Sequence, residues 1–227
     1  MKVKKYYDGV NIEEHIDLVD GVTTNTSYVA DADVTDYNTF IDKSIESSKG
    51  KPISFQVTSP SSSSIIKQAE LICQKSNNVY VKIPIVLPNG ESTKDLVEGL
   101  SKDGFKVNVT CIHTEQQTIE ACDAVSDETK SIISLFAGGL SDSGTYAKPI
   151  FDKARSIIGD NTNKQILYAG CQRVFSIVEA ESWGADIITI PDGVMKKLDR
   201  MDFDDLETSI KKSQLFFHDG NKLTFTH

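Results

Sequence analysis

The segment Val79-Tyr80-Val81-Lys82-Ile83-Pro84-Ile85 sets one lysine in the middle of an apolar run. In a strand, successive side chains face opposite sides, so Val79, Val81, Ile83 and Ile85 share one face and Tyr80, Lys82 and Pro84 the other. Two environments are open to such a lysine. On an edge strand it reaches water, the common fate of a strand lysine; in a closed sheet, which has no edge, it turns into the interior. A buried ammonium loses its hydration, and its pKa falls from about 10.4 toward about 7 to 8. The free amine is then a nucleophile for carbonyls. Its Schiff base turns a ketone into an iminium that stabilises a carbanion on the adjacent carbon.

Other polar residues stand near the ends of apolar runs. Asp8 ends the first, Thr24 and Asn25 follow the second, Gln56 lies in the third, and Asn108 and Thr110 lie in the fifth. Each has an ordinary structural alternative, and Asp8-Gly9 reads equally well as a turn and helix cap. Brought to one mouth with Lys82, they supply an amine, a carboxylate and several hydrogen-bonding groups. That set suits making and breaking a carbon–carbon bond beside a carbonyl.

The elements that would bring them there can be read from the periodicity. Eight β-type runs cover 3–8, 21–24, 52–57, 79–86, 106–112, 131–137, 164–169 and 186–191, and all but the short second are rich in Val, Ile, Phe or Tyr. Helical periodicity lies between them at 36–48, 62–74, 92–100, 114–123, 146–158, 174–183 and 194–198. Ser59-Pro60 marks one helix start, and Gly50, Gly104, Gly159 and Gly184 follow helix ends. Alternation of eight strands with helices predicts an α/β protein, a single-domain (β/α)8 TIM barrel, in preference to an open doubly wound sheet. In such a barrel, reacting groups sit at the C-terminal ends of the strands and point inward. The barrel is expected over 1–201. An additional C-terminal helix is expected at 202–217 within a tail, 202–227, of the same domain, with Leu206, Ile210 and Phe217 on one face.

Composition narrows the possible partners. The 227 residues carry 33 acidic and 24 basic side chains, a net charge of −9, which argues against a nucleic-acid or anionic membrane partner. No apolar run is long enough for a signal peptide or a membrane span, and the four cysteines form no CxxC pair, so a cytoplasmic protein with reduced thiols is expected. His15, His113, His218 and His227 show no paired ligand spacing, so no metal is expected, and these histidines read as solvent-facing or structural.

Several segments carry a resemblance to a known family. Gly21-Val22-Thr23-Thr24-Asn25-Thr26-Ser27 resembles the GVTTNPS motif of the transaldolase family, and Val81-Lys82-Ile83-Pro84 resembles its Schiff-base strand. Asn108-Val109-Thr110 is similar to the family's N-x-T. The segments Ser134-Leu135-Phe136-Ala137-Gly138 with Asp142-Ser143-Gly144, and Asp186-Ile187-Ile188-Thr189-Ile190-Pro191, are similar to its sixth and eighth strands. The length matches the short subgroup that includes fructose-6-phosphate aldolase. The resemblance implies that Lys82 forms the Schiff base and Asp8 is the acid/base. It also implies that Asn25 and Asn108 hold substrate hydroxyls, while Thr110 and Gln56 place the water of imine chemistry. The implied reaction moves a dihydroxyacetone unit from a ketose, or its phosphate, to an aldehyde, with no cofactor, in the pentose phosphate pathway. The family's rings, joined through the C-terminal helix, imply a homo-oligomer. Release of free dihydroxyacetone, and a barrel that binds without turnover, are the alternatives.

Several positions depart from the pattern. Thr26 replaces the motif's proline, Gln56 matches the aldolases, and Phe136 matches the transaldolases. Gly139 and Gly170 stand where the family has its phosphate-binding arginine and serine. Either Arg173 reaches back to replace them, or the acceptor lacks a terminal phosphate.

Overall fold

Eight parallel strands close on themselves in chain order. The computed structural model describes residues 3–202 and 204–225. The strands are β1 (Lys4–Asp8), β2 (Gly21–Thr23), β3 (Ile53–Gln56), β4 (Val79–Pro84), β5 (Val107–Ile112), β6 (Ser131–Leu135), β7 (Lys164–Tyr168) and β8 (Ile187–Pro191). The β1–β8 seam, running from Lys4 opposite Ile187 to Asp8 opposite Pro191, completes the ring and leaves no edge. This is the (β/α)8 barrel that the alternation predicts.

The helices along the chain are α1 (Ile12–His15), α2 (Thr26–Asp31), α3 (Tyr37–Ser47), α4 (Ser62–Cys73), α5 (Lys94–Lys102), α6 (Glu115–Ala124), α7 (Ala137–Asp142), α8 (Lys148–Ile158), α9 (Phe175–Ser182), α10 (Asp192–Met195) and α11 (Asp205–Gly220). The three short helices α1, α2 and α7 lie where no helix is predicted, because too few residues separate their caps for a 3.6 period to register. In α2 the Asn25 side chain accepts from the Tyr28 amide, so a motif residue is also a helix cap. The helix expected at 194–198 is instead α10 followed by a 3-10 turn at Leu198–Asp202. The C-terminal helix begins at Asp205, later than expected, because the Asp204 side chain caps it through the Glu207 amide.

Outward-facing strand residues such as Val81, Ile83, Val109, Ile133 and Ile188 pack under the helices and are buried. The barrel interior holds a smaller apolar plug of Tyr6, Tyr80, Ile132, Leu167 and Ile187. The alternation that buries Val81 and Ile83 outside is what turns Tyr80 and Lys82 inside. Above the plug, Asn108 donates to Ser54 (3.0 Å) and accepts from Ser134 (2.7 Å), tying β3, β5 and β6 together. On α11 no side chain is buried, and Leu206, Ile210, Phe216 and Phe217 are exposed. No helix among the described residues is long and apolar enough to cross a membrane.

Candidate active site

Lys82 is only 6% exposed, and its ammonium donates to the carbonyl oxygen of Thr24 at 3.2 Å. Strand register sets Gln56 opposite Lys82 on the β3–β4 pair, and Asp8 ends β1 at the same mouth. Asp8 accepts from the Thr23 hydroxyl at 2.7 Å, and Thr23 is hydrogen bonded in turn to the hydroxyl of Thr189 on β8. Burial lowers the Lys82 pKa from its ordinary value, opposed by the nearby charge of Asp8. Burial raises the Asp8 pKa, opposed by Lys82 and by the Thr23 hydrogen bond. Both shifts move the pair toward neutrality, where an amine is nucleophilic and a carboxyl can exchange protons.

A cavity of about 400 Å³ lies over this pair. Of the residues singled out from sequence, Lys82, Asp8, Asn25, Gln56 and Phe136 line it. Thr24, Asn108, Thr110 and Arg173 do not. Thr24 is buried with its hydroxyl on the Ser54 carbonyl (2.9 Å), so it meets Lys82 through its backbone. Asn108 is buried, with its amide nitrogen donating to Ser54 and its amide oxygen accepting from Ser134, a residue of the cavity wall. The Thr110 hydroxyl is buried and has no hydrogen-bond partner among the described residues. Arg173 is mostly exposed and pairs with Glu179 at 2.7 Å.

Sequence reasoning misses four contributors. Thr23 and Thr189 hold Asp8 and line the cavity, and Thr189 could have been found as the inward polar residue of an apolar strand. Cys111 lines the cavity because β5 bulges: from Val109–Ile133 to Ile112–Leu135, three residues on β5 advance against two on β6. Cys111 there takes a φ of 61°, and strict alternation could not have announced it. Burial pushes its thiol pKa up, so it is neutral beside the amine. Asp192, at the start of α10, accepts from Tyr7 (3.1 Å) and Asn11 (3.3 Å) and lies 2.8 Å from His15 Nε2. That cluster clamps the seam on which Asp8 stands.

Comparison with known proteins gives the family. The family model described as Transaldolase/Fructose-6-phosphate aldolase matches residues 6–226. A protein of Bartonella tribocorum named probable transaldolase is 29% identical over 226 residues, covering 97% of each chain. Proteins of the same name from Methanococcus maripaludis and Streptococcus pyogenes are 31% and 33% identical over 202 residues. They cover 86% of this chain and 89% and 90% of their own. A solved structure described as "Native KDPGal structure" aligns with a TM-score of 0.53 at 9% identity, over 84% of this chain and 82% of that one, which is a likeness of fold. With its motifs in order around a closed barrel and a match across nearly its whole length, the chain belongs to the transaldolase/fructose-6-phosphate aldolase family.

Proposed function

We propose that this protein is a class I, Schiff-base enzyme that transfers a dihydroxyacetone unit from a ketose to an aldehyde acceptor. The observation that carries the reading is a lysine buried inside the barrel, sharing one cavity with a carboxylate whose pKa is raised. The free amine of Lys82 adds to the C2 carbonyl of the ketose, and the carbinolamine loses water to give the iminium. Asp8 takes the proton of the C4 hydroxyl as the C3–C4 bond breaks. The aldehyde leaves, and the bonding electrons pass into the iminium to form an enamine. The enamine then attacks a second aldehyde, whose oxygen regains the proton from Asp8, and water hydrolyses the new iminium. Asn25 and Gln56, on the cavity wall, bind hydroxyls and water.

A second reading is favoured by Gln56, whose uncharged amide faces the cavity where the transaldolases of the resemblance carry a carboxylate. The enamine is then protonated and dihydroxyacetone released. Coupled assays separate the two: transfer needs an acceptor such as erythrose 4-phosphate, whereas release yields the aldehyde product without one.

The exposed apolar residues of α11 support assembly into a homo-oligomer through that helix, measurable by analytical ultracentrifugation. The role that fits is sugar interconversion in the cytoplasm.

A further inference from the structure

A second hollow, of about 310 Å³, adjoins the cavity over Lys82 on the side of β1 and β8. Among the described residues, Asp8 and Tyr28 alone line both. Asp8 is the carboxylate of the proposed reaction, so the large side chain that closes the cavity on this side is Tyr28. Its place is set by α2. Asn25 caps that helix by accepting from the Tyr28 amide at 3.0 Å, which fixes Tyr28 in the first turn. Asp31 and Ala32, three and four residues on, share its face and line the second hollow. Burial and the carboxylates of Asp8 and Asp192 raise the Tyr28 pKa from its ordinary value, and Asp192 lines the second hollow alone, so the phenol feels charge from both spaces. Behind the ring, Gly9, Ala32 and Gly193 keep the hollow open, and a Cβ on Gly193 would meet nothing within 4 Å.

We propose that Tyr28 determines specificity by chain length: its ring is the partition that ends the sugar cavity beyond Asp8, and the hollow behind it has room for a longer, uncharged polyol once the ring is removed. This deepens the Schiff-base reading of Lys82 and rests on it. In that reaction Asp8 serves the C4 oxygen, so the carbons beyond C4 start beside Asp8 and run against the ring that shares its wall. Blocking them takes the bulk of the ring and not its hydroxyl. The chemistry of the second hollow sets what it admits. Among the described residues lining it there is no Lys, Arg or His, while Asp31 and Asp192 present carboxylates. The hydroxyls of a neutral sugar chain supply the donors that those carboxylates accept.

The test measures the joining of dihydroxyacetone to glyceraldehyde and to erythrose, which is one carbon longer, by the full-length wild type, Tyr28→Phe, Tyr28→Leu and Tyr28→Ala. Borohydride trapping of dihydroxyacetone on Lys82 is measured for each. The ratio of kcat/KM for erythrose to that for glyceraldehyde should rise roughly tenfold in Tyr28→Ala, the effect of accommodating one more carbon, and by a smaller factor in Tyr28→Leu. Tyr28→Phe keeps the ring and should keep the wild-type ratio. Comparing each variant with the wild type cancels the different open-chain fractions of the two aldoses, and a variant that is merely loosened loses both activities without changing their ratio. An unchanged or lower ratio in the alanine and leucine variants would overturn the proposal, as would a phenylalanine variant broadened as far as alanine. If the alanine variant does not fold, the leucine variant decides. No wild-type adduct on Lys82, or an adduct with no joined product from either aldehyde, would instead overturn the underlying Schiff-base reading.

Discussion

The ammonium of Lys82 is held by the backbone carbonyl of Thr24, 3.2 Å away and 58 residues earlier in the chain. Thr24 is itself anchored through its amide (3.1 Å) and its hydroxyl (2.9 Å) to the carbonyl of Ser54 on β3. The nucleophile's position therefore depends on the β2–β3–β4 wall as a unit. A backbone acceptor orients the amine without adding a charge, so burial can still depress its pKa.

Replacing Asp8 by Asn separates its two effects on Lys82. The carboxylate holds the Lys82 pKa up against the lowering by burial, so removing the charge lets that pKa fall further. The acid limb of borohydride trapping by dihydroxyacetone should then move to lower pH in Asp8→Asn. Ketose cleavage, which needs the base, should drop about 10²- to 10⁴-fold. Trapping as a function of pH, beside steady-state cleavage, checks both. A limb that stays put or moves to higher pH would contradict the coupling.

Asn108→Ala should behave as a structural lesion. It leaves the Ser54 and Ser134 hydroxyls unpaired in a buried layer, at a cost of about 1 to 3 kcal/mol each where no water replaces the amide. The urea midpoint should fall clearly, while trapping on Lys82 persists in the folded fraction. A variant of unchanged stability with a raised KM would assign Asn108 to substrate instead.

Gly138→Ala tests the contact between the segments that follow β6 and β7. Its Cβ would meet the Gly170 carbonyl oxygen at 2.0 Å, and Gly170 has a φ of 76°, so neither partner moves cheaply. Separating β6 from β7 there should cost roughly 1 to 3 kcal/mol or more. Urea unfolding measures it, and an unchanged midpoint would show that the contact is slack.

The sequence pattern goes a long way toward this architecture. Period-two alternation around Lys82 buries Val81 and Ile83 outside and turns the lysine in, and eight such runs close the barrel. Asp8, Asn25, Gln56 and Phe136 reach the cavity as their strand positions suggest. Asn108 also points inward, but its amide is engaged by Ser54 and Ser134 on two other strands, a cross-strand relationship that one strand does not encode. Cys111 escapes because the β5 bulge adds a residue, and a bulge is a relationship between two strands.

The most direct test of the central claim is chemical. Purified protein is incubated with dihydroxyacetone or fructose, reduced with borohydride, digested and analysed by mass spectrometry, with Lys82→Met as the control. The account predicts one reduced adduct, on Lys82, absent from the control and growing as pH rises through the lowered Lys82 pKa. Folded wild-type protein that gives no adduct, or labels another lysine equally, would contradict it.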